Sequence, residues 1–173
     1  MIKVTSRGKK QYEPEHRELI LLVGKSGSGK DYLSNALGLR KVVSRTTRPM
    51  RSGEENGVSH LFVTIQEMVQ YPKNLVVAYT EFDGHTYCAL RQDFSGKDVY
   101  IIDPVGVEYF LKHSSSVLRR SVRIVYVKCS NIKILRRLIK RDGFKNAIRR
   151  FKHDYKIYNE FEKKRKIDSI INN

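Results

Sequence analysis

The apolar positions of this 173-residue chain fall into short unbroken runs separated by amphipathic stretches. "RELILLVG" (17–24) is a continuous apolar run, the pattern of a strand buried on both faces of a parallel sheet. "GKDYLSNALGL" (29–39) then has helical spacing and starts in a glycine turn. "KVVS" (41–44) predicts a short strand, and the polar "RTTRPMRSGEENG" (45–57) has loop composition throughout. "VSHLFVT" (58–64) alternates like a strand, and "IQEMVQY" (65–71) is a helical turn or two closed by Pro72. "NLVVAYTEF" and "GHTYCAL" flank Asp83 and Gly84 as the two arms of a hairpin.

Beyond the hairpin the strand–helix alternation resumes. "DVYIIDPVGVEYFLKH" (98–113) reads as a buried strand running into a helix, and "SVRIVYVKC" (121–129) as another strand. Residues 131–165 supply two helical segments around Gly143, and "IDSIIN" (167–172) a last short strand. Strands alternating with helices predict an α/β fold with a mostly parallel sheet and right-handed crossovers. The hairpin-rich region from Arg45 to Leu90 interrupts that rhythm as an inserted subdomain.

Composition narrows the class. A hydrophobic content of 40% with ten Tyr and seven Phe marks a folded domain. The length suits one domain, 1–173. No apolar run approaches the roughly 20 residues that span a bilayer, and the polar start "MIKVTSRGKKQYEPEHRE" lacks the apolar core of a signal peptide. Cys88 and Cys129 have no C-x-x-C spacing; as plain reduced thiols they point to the cytoplasm. The net charge of +16, much of it in the last third, fits a polyanionic partner or a Lys-rich surface. No DNA- or RNA-recognition motif accompanies it, so nucleic acid is not the favoured partner.

The chemistry-bearing stretch is "GKSGSGK". Gly24, Gly29 and Lys30 match G-x-x-x-x-G-K between a strand and a helix, the context a phosphate-binding P-loop requires. Gly24, Lys25, Ser26, Gly27, Ser28, Gly29 and Lys30 would wrap phosphate with backbone N–H groups, a helix N-terminus and an ammonium. Asp31 stands where the motif has Ser or Thr; its carboxylate is a hard-oxygen candidate for Mg²⁺ and also a favourable charge in a first helical turn. In the polar segment Arg45, Arg48 and Arg51, three apart, could converge on one anionic group.

These motifs in this order resemble the guanylate kinase family from about Glu18 to the C-terminus. The carriers are "GKSGSGK", "SRTTRPMRSGEENG", "LFV", "EFDGHTYCAL", "VYIIDPVGV", "ILRRLIKRDG" and "IDSIINN". The resemblance implies a P-loop NTPase fold with a parallel β-sheet core flanked by helices (about 18–44, 91–135 and 150–173). A mostly β acceptor-binding subdomain (about 45–90) and a helical lid (about 136–150) complete it. It implies an enzyme that moves the γ-phosphoryl of ATP, with Mg²⁺, to a nucleoside monophosphate. Ser44, Arg48, Arg51 and Tyr87 would hold the acceptor's phosphate, with His60 in the place of a family tyrosine. Arg137, Arg141 and Arg150 would approach from the lid as catalytic groups beside Lys30.

The departures concentrate at the base. Of the family's three guanine contacts only Asp103 is kept; the Glu position is Ala78 and the Ser/Thr position Ala89. The family's asparagine and glycine around the tyrosine are His85 and Cys88, the lid is slightly shorter, and the family's final helix is missing. GMP or dGMP is the first expected acceptor, with another base open. Three other readings fit parts of the sequence. Asp31 and the lost guanine contacts fit a kinase of the ribose 1,5-bisphosphate type. The charge fits a kinase acting on a nucleotide in DNA. An inactive module binding phosphopeptides is the fourth, against which the intact phosphate loop counts.

Overall fold

The computed structural model describes residues 18–164 and 167–173. The polar lead-in and the two basic residues 165 and 166 lie outside the described residues. Two four-stranded sheets share one core. The first runs β6-β1-β7-β8, all parallel, built from β1 (Leu19–Val23), β6 (Val99–Ile101), β7 (Val122–Lys128) and β8 (Ser169–Asn172). The unbroken apolar run of β1 is explained by its place: it pairs on both edges and is covered on both faces, with Leu21 and Val23 fully enclosed.

The second sheet runs β3-β2-β5-β4, from β2 (Arg45–Thr46), β3 (Leu61–Phe62), β4 (Val76–Phe82) and β5 (His85–Leu90). The hairpin between β4 and β5 turns at Asp83 and Gly84, both with positive φ (56° and 75°), as a tight Asp-Gly turn demands. One buried cluster joins the sheets: Val77, Ala78 and Ala89 of the hairpin pack with Leu21, Tyr126, Phe110 and Phe161.

Six α-helices complete the described residues. α1 (Lys30–Ala36) follows the glycine turn, and α2 (Ile65–Gln70) is closed at its start by a reciprocal Thr64–Glu67 capping box. α3 (Pro104–His113) begins with proline at its first position behind an Asp103 cap, whose Oδ1 accepts the Gly106 N–H at 2.7 Å. α4 (Ser116–Arg120) is a single short helix that apolar spacing does not announce. α5 (Asn131–Asp142) ends at Gly143 (φ 77°), and α6 (Phe144–Lys164) folds back on it through Ile134, Leu138 and Ala147.

Two expectations fail here. "KVVS" is not a strand: only Lys41 makes an isolated bridge to Val99, while Val42 N–H reaches the Val99 carbonyl at 2.9 Å. "RTTRPMRSGEENG" is not loop throughout, because Arg45 and Thr46 form β2 in the interior of the second sheet. Local composition hides β2, since its charged residue is neutralised by a partner distant in sequence.

Candidate active site at the phosphate loop

The loop from Gly24 to Lys30 joins the C-terminal end of β1 to α1. Gly29 heads the helix in a left-handed conformation (φ 96°), and a Cβ there would run into the side-chain amide of Asn173. That amide donates to the Ser28 carbonyl at 2.7 Å, tying the last residue of the chain to the loop. Lys30 folds back over the loop, its Nζ donating to the carbonyls of Gly24 (2.6 Å) and Lys25 (3.2 Å). Burial pushes its pKa down from 10.5 to about 8, against the upward pull of Asp31 and Asp154; Arg141 and Arg150 push it further down.

α5 and α6 bring basic groups to the same loop. Arg137 Nη1 donates to the Gly27 carbonyl at 2.9 Å, and Arg150 Nε to Ser26 Oγ at 3.1 Å. The Arg150 guanidinium also lies 4.7 Å from the centre of the Phe82 ring. Asp142 braces Arg141 with two hydrogen bonds of 2.9 and 2.8 Å and lies 3.7 Å from Arg150.

A second group of polar and charged residues surrounds Arg48 and Arg51. Arg48, 7% exposed, forks onto Glu54 at 2.9 and 2.8 Å. Burial lowers the pKa of Arg51, and so do its neighbours Arg150, Arg48 and Arg141, which sets the cations of both sides within electrostatic reach of one another. Ser44 Oγ lies 3.0 Å from His60 Nδ1, and His60 meets the Tyr87 ring edge-on at 5.8 Å. Burial and the charge of Arg48 lower the His60 pKa. Ser44, His60, Thr80, Tyr87, Tyr100 and Asp103 share a cavity of about 70 Å³. Burial raises the Asp103 carboxyl, opposed by its hydrogen bonds to the Gly106 N–H and to Thr80. Among the described residues the Oγ atoms of Ser28, Ser34 and Ser114 and the Nε atoms of Arg45 and Arg48 are buried without hydrogen-bond partners.

Arg45 departs from the expected convergence of arginines. It pairs with Asp93, and its guanidinium lies 4.9 Å from the centre of the Tyr71 ring. Ala78 and Ala89, aligned with base contacts, are sealed in the core and do not line the cavity.

Three acids escaped sequence reading: Glu54, which holds Arg48; Asp142, which holds Arg141; and Asp154, which meets the loop directly at 2.6 Å from Ser26 N. Glu54 and Asp142 stand inside the motifs "SRTTRPMRSGEENG" and "ILRRLIKRDG", and Asp154 is the one acid between Asp142 and Glu160 in a basic stretch. For a metal, Asp31 is the hard-oxygen side chain at the loop's exit. It is 77% exposed at the side chain, and its Oδ1 is 3.6 Å from Lys41 Nζ. Among the described residues no cluster of three or more His, Cys, Asp or Glu could hold an ion alone. Mg²⁺ needs one or two carboxylates plus phosphate oxygens and water, so the residues present fit it as a partner of bound phosphate.

A parallel sheet carrying a glycine loop, a half-buried lysine folded over it and arginines from two further segments defines a phosphate-binding P-loop α/β protein. The sequence profile described as guanylate kinase matches residues 16–173, and the chain belongs to the guanylate kinase family. Similar curated proteins are guanylate kinases. That of Thermosynechococcus vestitus is 36% identical over 85 residues (46% of this chain, 44% of that protein). That of Mesoplasma florum is 33% identical over 114 (58% and 38%). That of Baumannia cicadellinicola is 27% identical over 135 (71% and 66%). The chain thus matches less than half the length of the first two. The crystal structure of guanylate kinase from Anaplasma phagocytophilum superposes with a TM-score of 0.66 at 23% identity, covering 91% of this chain and 77% of that one, a likeness of fold.

Among the described residues no helix is long and apolar enough to cross a membrane.

Proposed function

We propose that the protein is a nucleoside monophosphate kinase that transfers the γ-phosphoryl of ATP to a (d)NMP, with GMP or dGMP the first candidate acceptor. The observation that supports this is that Arg150 and Arg137 reach the phosphate loop, at 3.1 Å from Ser26 Oγ and 2.9 Å from the Gly27 carbonyl, while Arg51 lies within electrostatic reach of Arg150, Arg48 and Arg141. Two phosphate-binding half-sites facing each other are what transfer between two phosphates needs.

In this reading the loop residues 24–30 hold the donor phosphates through backbone N–H groups and the Lys30 ammonium. Ser44, Arg48, Arg51, His60 and Tyr87 hold the acceptor's phosphate, and Asp103 meets its base. Arg137, Arg141 and Arg150 stabilise charge on the phosphoryl group, since such transfer depends on alignment and electrostatics rather than covalent catalysis. Asp31 is the side chain for Mg²⁺, which when bound supplies neutralising charge between phosphate oxygens. The division into core, acceptor subdomain (about 45–90) and lid (about 136–150) belongs to the same proposal, as does a cytoplasmic location, with Cys88 and Cys129 unpaired.

The test is ADP formation from ATP and Mg²⁺ with each (d)NMP and with ribose 1,5-bisphosphate, using Lys30→Ala as control. Turnover of one or more (d)NMPs, lost in the variant, is expected. Turnover of the sugar bisphosphate alone, or of nothing, overturns the reading.

A further inference from the structure

Asp154 has no task in the reading above, yet it is only 5% exposed and lies against the phosphate loop. Its Oδ2 accepts the backbone N–H of Ser26 at 2.6 Å across 128 positions of sequence. One turn earlier on α6, Arg150 Nε donates to Ser26 Oγ at 3.1 Å. The third residue of the loop is therefore gripped twice, by backbone and by side chain, from positions i and i+4 of one helix face.

A buried carboxylate beside a phosphate site is unfavourable on two counts: it loses hydration, and it repels the ligand. Both costs are offset locally. The Ser26 N–H gives it a short charge-assisted bond, and the Lys30 ammonium lies near enough for Asp154 to favour its charged form. A loop closed only by its own hydrogen bonds would need neither contact.

We infer that Asp154 is a positioning residue for phosphoryl transfer: it anchors Ser26, and through that residue fixes the loop that Lys30 closes and the side chain of Arg150. The inference rests on the proposed kinase reaction for its effect on rate, and on geometry alone for its effect on the loop. The charged groups facing Lys30 are Asp31 from α1, Arg141 from α5, and Arg150 and Asp154 from α6. Around Asp154 itself lie His153 (Nδ1 to Oδ1, 3.5 Å), Tyr126 of β7, Tyr158 of α6 and the Asp103 cap. Removing its charge weakens the bond to the Ser26 N–H, while removing its oxygen frees Ser26 altogether.

The two effects separate in two variants. Asp154→Asn keeps an acceptor for the Ser26 N–H and loses the charge; Asp154→Ala loses both. We would measure kcat and KM for ATP, thermal unfolding, and the affinity for a non-hydrolysable ATP analogue by calorimetry at a single pH. The expected result has three parts. In Asp154→Ala the analogue binds about tenfold more weakly. In Asp154→Ala kcat/KM for ATP falls about 10- to 100-fold, the scale of a misplaced catalytic group. In Asp154→Asn both losses persist but are smaller, the partial rescue a retained acceptor gives. If Asp154→Ala does not fold, the Asn variant decides.

Wild-type analogue affinity, kcat and KM in every variant that folds, with only the unfolding temperature lowered, would make Asp154 a structural residue and overturn the inference. A wild-type protein that binds the analogue but turns over no acceptor would fail the kinase reading alone. The loop role would then stand or fall on the loss of analogue affinity in the variants.

Discussion

Ala78 of β4 lies directly opposite Ala89 of β5, and the two are 1% and 0% exposed. A carboxylate and a hydroxyl at these positions would be guanine contacts in the family; here methyl groups face the core. The pair therefore offers nothing to the donor edge of guanine, and Thr80, Tyr100 and Asp103 remain at that end of the cavity. Sites without matched polar groups discriminate by about 10- to 200-fold, against 10⁴ or more for sites built around them. The kcat/KM for GMP should exceed that for the other (d)NMPs by no more than about 200-fold. A ratio above about 10⁴ would mean that other residues rebuild the contact.

Under the proposed kinase function, the Arg48–Glu54 fork makes Glu54 a determinant of acceptor binding although it need not touch the acceptor. Its Oε2 also accepts the Arg51 N–H at 2.8 Å, so one carboxylate sets both arginines. Glu54→Ala should raise KM for the acceptor at least about tenfold while leaving KM for ATP near wild type. It should also destabilise the fold by about 3–5 kcal/mol, the scale for stripping one partner from a buried pair. Steady-state kinetics with each substrate varied, together with urea unfolding, checks both.

Lys30 gives the site an alkaline limit. Its pKa near 8 means that nucleotide affinity is constant below that pH and falls above it as the ammonium is lost. Phosphate favours the charged form, so binding at pH 9 should take up a proton. Calorimetry in two buffers of different ionisation enthalpy would detect this, and Lys30→Met should abolish it. Stability runs the other way. The folded value lies below the ordinary 10.5, so between about 8 and 10.5 the unfolded chain holds the extra proton. In that window Lys30's contribution to the stability of the unliganded protein rises with pH.

Arg45 and Arg48 should separate in experiment as they do in space. Arg45 braces Asp93, whose Oδ2 also accepts the Leu90 N–H at 2.7 Å, beneath the second sheet. Arg45→Ala should lower the unfolding temperature and leave acceptor KM unchanged in the folded fraction. Arg48→Ala should raise that KM by about 100-fold or more, as loss of a charge-assisted phosphate contact does. Equal effects of both on KM would mean that Arg45 also reaches the acceptor.

The elements that carried their own signal were legible before any coordinates. The apolar run of β1, the Asp-Gly hairpin, the helices on either side of Gly143 and the glycine loop are each fixed by contacts close in sequence or by burial on two faces. β2 was not legible, because a two-residue strand with an arginine becomes a strand only when β3 and β5 flank it. α4 was not either, five residues being too few for a period to show.

What the sequence by itself determined is a candidate chemistry: a glycine loop suited to phosphate, arginines suited to a second anion and, through the family resemblance, alanines at two positions aligned with guanine contacts. The first two follow from residue types whose physical demands hold in any setting, such as glycine's left-handed φ or a guanidinium's fork. Only the tertiary structure decided which charges meet. It turned Arg45 away from Arg48, gave Arg48 to Glu54 and Arg141 to Asp142, and set Asp154 against Ser26. Charges pair by distance in space, and folding brought Asp154 and Ser26 within 2.6 Å from 128 positions apart.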